Sequence, residues 1–206
     1  MAKLRSLFLH TRMSWKRVLL FSVITAAVTA VFLLIPALKG TSFENMGVYP
    51  ESWLLFAILI IMNCEKPLEA GLKTFVFFLI SQPLIYLLQV PFNPLGWQIF
   101  QYYPRWFLIT LLCFPGGIVA WFVKKDNFLS SLILAVACAL SGALLGFFAK
   151  SCLRHFPHSL LSVLLCAALG FLLPAVLLKK KTNRILPWVA AALCAVGGML
   201  GVIPGI

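Results

Sequence analysis

Seven long apolar runs, most of them fenced by Lys, Arg or Trp, take up almost the whole of this 206-residue chain. The segments between them are too short to hold a soluble domain. A helix needs about 20 largely apolar residues to cross a hydrocarbon core of about 30 Å. The runs at 18–38, 69–91, 104–123, 128–149, 158–178 and 185–205 meet that length. The run at 51–64 would rise only about 21 Å at 1.5 Å per residue. The expected fold is therefore all-α: a polytopic helical transmembrane bundle forming a single membrane-embedded domain over 1–206, with seven spans, the second one short.

Hydrophobic residues are 62% of the chain and charged residues 11%, so a bilayer accommodates what a soluble core could not bury. The net charge of +12 does not point to nucleic acid, because the 17 Lys and Arg are divided among the loops. Their arrangement predicts orientation. If 51–64 crosses, the N-terminus, the 64–73 loop, Lys124–Lys125 and Lys179–Arg184 share one side, which then holds 13 of the 17 cations. If it does not cross, the split is 8 against 9 and the bias disappears. The positive-inside rule favours seven crossings, with the N-terminus cytoplasmic and the C-terminus outside. The expected location is a cell membrane, taken as the bacterial cytoplasmic one, and anionic headgroups are the expected counter-charge.

Local features refine this picture. Residues 1–16 form a basic cytoplasmic interfacial segment, with Leu4, Leu7 and Phe8 at helical spacing among cations. The apolar run that follows exceeds a signal-peptide core and is read as an uncleaved first span. The connector 92–103 carries Trp97, Phe100, Tyr102 and Tyr103 and is expected to lie flat on the outer interface. Trp15, Trp53, Trp106, Trp121 and Trp188 fall near span ends, where indole favours the headgroup level.

The last four spans share a cysteine followed four residues later by glycine: Cys113–Gly117, Cys138–Gly142, Cys166–Gly170 and Cys194–Gly198. Positions four apart share a helix face, so each helix offers a groove for close approach. Ala26, Ala30, Gly142, Gly146, Gly170, Gly197 and Gly198 are the expected packing positions. The six cysteines are expected to be free thiols, since disulfide frameworks belong to small secreted domains. Four thiols at mid-span could attract a soft metal, but small-residue packing accounts for the pattern without one.

Two places could carry a site. Ser81-Gln82-Pro83 sits mid-span, and Gln82, Tyr86 and Gln89 follow one another on a single helix face. Pro115-Gly116-Gly117 is expected to break the next span at similar depth. Interrupted helices meeting near the midplane build solute sites in transporters, although plain kinks with Gln82 bonded to a neighbouring helix fit the same residues. The second place is Glu65, Lys66, Glu69 and Lys73, a cytoplasmic helix cap that could also serve as a gate or partner contact. Cys152, His155 and His158 are a weak metal set, and Cys152 with His155 a weak nucleophile and base pair; the better reading has Arg154, His155 and His158 facing headgroups.

The acidic residues Glu44, Glu51, Glu65, Glu69 and Asp126 all fall at or outside the span ends. Ion-coupled carriers usually need an intramembrane carboxylate or His, so an ion-driven pump is disfavoured. No cofactor, metal or catalytic motif stands out, and the chain is expected not to be an enzyme. The expected function is a solute-binding or transport subunit, passive or driven by a partner. The alternative is a membrane interaction, assembly or regulatory protein, with another membrane protein or a second copy as partner. In length and build the chain is similar to the small membrane-embedded substrate-binding subunits of vitamin-type ABC importers. Their first helix often meets a partner through an Ala-x-x-x-Ala face, a spacing that Ala26 and Ala30 offer. Seven spans rather than six is a departure, and no family is assigned.

Overall fold

A computed structural model describes residues 13–201, so most of the basic segment 1–16 and the last residues of the final span lie outside the described part. Among the described residues the chain is helical, without a strand. The long helices are α1 (Trp15–Leu34), α4 (Pro67–Gln89), α5 (Tyr103–Trp121), α6 (Phe128–Arg154) and α9 (Lys181–Leu200). Between α1 and α4 lie α2 (Ser42–Val48) and α3 (Glu51–Met62). Between α6 and α9, α7 (Leu160–Ala167) passes through a π-helical turn, Ala168–Leu172, into α8 (Leu173–Leu177). Among the described residues six segments are long and apolar enough to cross a membrane, and the pair α2–α3, bent by 65°, makes a seventh when it is counted as one crossing.

Hydrogen bonds between loops sort the chain into two ends. At one, Lys73 Nζ donates to the Met13 carbonyl. There too Trp121 Nε1 (3.0 Å) and Lys124 Nζ donate to the Cys64 carbonyl, and the Lys179 and Lys180 N–H groups donate to Asp126 Oδ2 (2.9 and 3.1 Å). At the other end the Ser42 N–H donates to the His158 carbonyl at 2.7 Å. The bent pair therefore carries the chain from the His158 end to the Met13 end. The basic loops at 64–73, 124–125 and 179–184 gather at the Met13 end, and the connector 92–103 lies at the opposite one.

The bend has a local cause. Tyr49 precedes Pro50, and a residue before proline is pushed out of the helical region; Tyr49 is extended, with φ −112° and ψ 156°. The expected short second span is thus the second half of a broken one. By contrast, neither proline expected to break a helix does so. α4 runs unbroken through Pro83 and α5 through Pro115 and its two glycines. A proline removes one donor, and a single lost bond is absorbed within a packed helix. α9 likewise runs through Gly197 and Gly198. The irregular turn that does occur, Ala168–Leu172, leads into Pro174, which has no N–H to offer. Trp188 Nε1 donates to the Phe171 carbonyl within that turn (2.9 Å).

The small residues are consumed inside the bundle. A Cβ on Gly142 would lie 2.2 Å from the Ala191 carbonyl oxygen, and one on Gly146 would lie 2.1 Å from that of Ala195. Gly170 faces Ala191 more loosely, at 3.3 Å, and Gly197 is half-buried. Ala26 and Ala30 are buried too, so the face that suggested an external partner is covered by this chain itself. Trp53 is a second correction. It is 2% exposed, not interfacial, and joins Phe56, Phe77, Phe78 and Trp106 in an aromatic cluster. The six cysteines are free, and Cys64, Cys138 and Cys166 are buried.

Candidate functional site: a cavity at the connector end

Gln82, Ile85, Tyr86 and Gln89 stand at i, i+3, i+4 and i+7 on α4, so helical geometry puts them on one face. That face lines a cavity of about 680 Å³. Arg105, Trp106 and Ile109 supply the α5 side. The connector covers part of the opening through Asn93, Leu95, Ile99 and Tyr102. The remaining side is made by Leu33 of α1 and by Gly47, Val48 and Pro50, the residues around the bend. The volume is within the range of about 300–1,000 Å³ usual for small-molecule pockets.

Gln82 lies about 10 Å along α4 from its Gln89 end, at 1.5 Å per residue. It is 2% exposed, and its amide nitrogen is buried without a hydrogen-bond partner among the described residues. The other cavity amides are engaged. Gln89 Nε2 donates to the Ile85 carbonyl (3.1 Å), and Asn93 Oδ1 accepts from the Leu95 N–H (3.0 Å). Ring contacts with Phe100 and Tyr103 hold Tyr86 at centroid distances of 5.7 and 6.0 Å. The connector is therefore a folded flap of 3-10 helix (Gly96–Tyr102) seated on Tyr86.

Of the residues expected to form a midplane site, Gln82, Tyr86 and Gln89 come together in the cavity, and Ser81, Pro115, Gly116 and Gly117 do not line it. The Ser81 hydroxyl is buried without a partner. Gly117 turns the other way, against α4, where its Cβ would meet the Gly71 Cα at 3.0 Å. Arg105, Trp106 and the bend residues join the site without having been expected there. Arg105 follows the connector by two residues and entered the sequence reading only as one of the few cations opposite the basic side.

The Glu65–Lys73 cluster is a cap and a clamp. Glu69 Oε2 accepts from the Glu65 N–H (2.8 Å) and the Lys66 N–H (3.3 Å). Its other oxygen pairs with Lys73 Nζ, which also lies 5.5 Å from the Trp15 ring centroid. These contacts fix the entry of α4 and the start of α1, and none of these residues lines the cavity.

Glu51 is the acidic residue whose position departs from expectation. It opens α3 at the bend, about 17 Å from the Met62 end of that helix at 1.5 Å per residue, and is 1% exposed. Oε1 accepts from Ser162 Oγ of α7 at 3.3 Å, and Oε2 has no partner. Ser162 Oγ also accepts from Asn45 Nδ2 (3.1 Å), and the Ser162 N–H donates to Ser42 Oγ (3.2 Å). This buried polar knot ties both arms of the bent pair to α7. The sequence placed Glu51 at a span end because α2 was not recognised as the other half of the crossing.

Among the described residues no group of three or more His, Cys, Asp or Glu side chains is placed to hold a metal. Cys152, His155 and His158 are thus not assembled into a metal-binding set. No protein-family model, curated protein or solved structure matches this chain.

Proposed function

We propose that the protein is a small membrane-embedded solute-binding or transport subunit. The carrying observation is a cavity of about 680 Å³ whose largely apolar wall is interrupted by the buried side chain of Gln82. A polar amide in a largely apolar wall is the kind of group that fixes the orientation of a bound small molecule. The lining includes no carboxylate, and Glu51 lies outside it, bonded to Ser162. The subunit is accordingly passive or driven by a partner. With the basic end cytoplasmic, the cavity opens to the outer side of a bacterial cytoplasmic membrane.

The interaction-protein reading loses its main support, since the small-residue faces that would grip a foreign helix are already occupied by α1–α4 and α6–α9 contacts. Thermal-shift screening of the purified full chain against a metabolite panel tests the binding reading. At least one compound should raise the melting temperature of the wild type and leave Gln82→Leu unmoved. A panel without a hit, or a hit that shifts both proteins alike, would reject the cavity as the site.

A further inference from the structure

We infer that the ligand of this cavity is a small organic acid with an apolar or aromatic body, its carboxylate held by Arg105. This inference rests on the binding reading above and adds the chemical class.

Charge in the lining has one sign. Arg105 is the sole ionisable cation among the lining residues, and none of them is an Asp or Glu. Among the described residues no carboxylate pairs with Arg105; the ion pair at the far end joins Lys73 to Glu69. An unpaired guanidinium presents a planar fork that matches a carboxylate through two parallel hydrogen bonds. It lies at the mouth, on the first turn of α5 beside Tyr102 and Trp106.

Hydrogen-bonding polarity points the same way. The one charged group of the lining is a donor, so the Arg105 guanidinium at the mouth calls for an acceptor on the ligand, while the Gln82 side chain adds a neutral polar point in the wall. Between them the surface is made by Ile85, Ile109 and the rings of Tyr86 and Trp106, which suits an apolar or flat body. A cation would meet Arg105 with no counter-charge in the lining, and a neutral amide would leave the guanidinium unneutralised.

The same chemistry could come from a free acid or from an anionic lipid; the volume of about 680 Å³ suits a whole small molecule and favours the free acid. The test uses the full chain in phosphatidylcholine nanodiscs. Phenylacetate, 3-phenylpropionate and hexanoate are titrated against their carboxamides, with thermal shift and calorimetry as readouts, and the series is repeated with phosphatidylglycerol added. At least one acid should bind and its amide should bind weakly, with Arg105→Gln lowering acid affinity about tenfold or more. Arg105 is exposed, so that variant retains the fold, and an unchanged apo melting temperature verifies this. Acids and amides binding alike, or acid affinity indifferent to Arg105→Gln, overturns the assignment of an anion while leaving the cavity a binding site. No binding in either series, together with no hit in the metabolite panel, removes both readings. An Arg105-dependent stabilisation by phosphatidylglycerol that excludes the acids assigns the site to lipid and overturns the free acid.

Discussion

Gly146 of α6 meets Ala195 of α9 backbone to backbone, with room for nothing between them: a Cβ on Gly146 would lie 2.1 Å from the Ala195 carbonyl oxygen. Gly198 repeats the contact from the other side, at 2.2 Å from the Ala143 carbonyl oxygen. Backbone cannot yield as a flexible side chain can, so the helices must separate to admit a methyl group. Gly146→Ala should lower stability by about 1–3 kcal/mol, as overpacking does. Gly116→Ala is the control, because nothing lies within 4 Å of its would-be Cβ. That substitution should be neutral or stabilising by up to about 1 kcal/mol through helix propensity. Thermal unfolding in one detergent compares them, and equal melting temperatures would refute the close approach.

Glu51 gives a prediction of charge against shape. Glu51→Gln keeps an oxygen for the Ser162 hydroxyl and adds an amide in place of the oxygen that lacks a partner. It should fold at least as well as the wild type. Glu51→Lys places a cation in the same buried position with no carboxylate to meet it, and should lose about 3 kcal/mol or more. Comparable yields and melting temperatures for the two variants would mean that position 51 is open to water.

Asp126 governs the acid limit at the basic end. Partial burial pushes its carboxyl up, but hydrogen bonds from Asn183 Nδ2 and the N–H groups of Lys180 and Lys179 outweigh this and hold it below its ordinary value. A carboxyl depressed in the folded state contributes stability above its unfolded pKa, and that contribution is lost as pH falls through the folded pKa. Melting temperature should therefore drop from about pH 5 downward, and the drop should be shallower in Asp126→Asn. Parallel curves for the two proteins would place the acid sensitivity elsewhere.

Crossing number is testable directly. Seven passes put tags at Met1 and Ile206 on opposite sides of the membrane, with the former cytoplasmic. An impermeant reagent applied to intact cells should label one tag and spare the other. Labelling of both would require an even number of passes.

Much of the bundle was legible because lipid imposes length and polarity rules that single runs of sequence obey. The α4 stripe of Gln82, Tyr86 and Gln89 could be read for the same reason, since helical spacing alone sets a face. Proline was the misleading signal. Pro83 and Pro115 suggested breaks, but a lone missing donor inside a packed helix does not interrupt it. Pro50 made the real break because Tyr49 before it is held extended. Arg105 and Val48 could not be assigned to the cavity, as they reach it from separate elements whose approach depends on tertiary packing. Trp53 was misplaced for a related reason: its position near a run's end says nothing of the α2 half that precedes it.

Val48 and Pro50 border the cavity and also form the joint between α2 and α3. Asn45 and Ser42, on the α2 side, are moored to Ser162 and His158. Glu51, which opens α3, is bonded to the same Ser162, so the joint at 49–50 is pinned from both sides and the chamber wall it forms is pinned with it. Loosening the Ser162 anchor would therefore disturb the broken span and the chamber together, although Ser162 itself lies outside the lining.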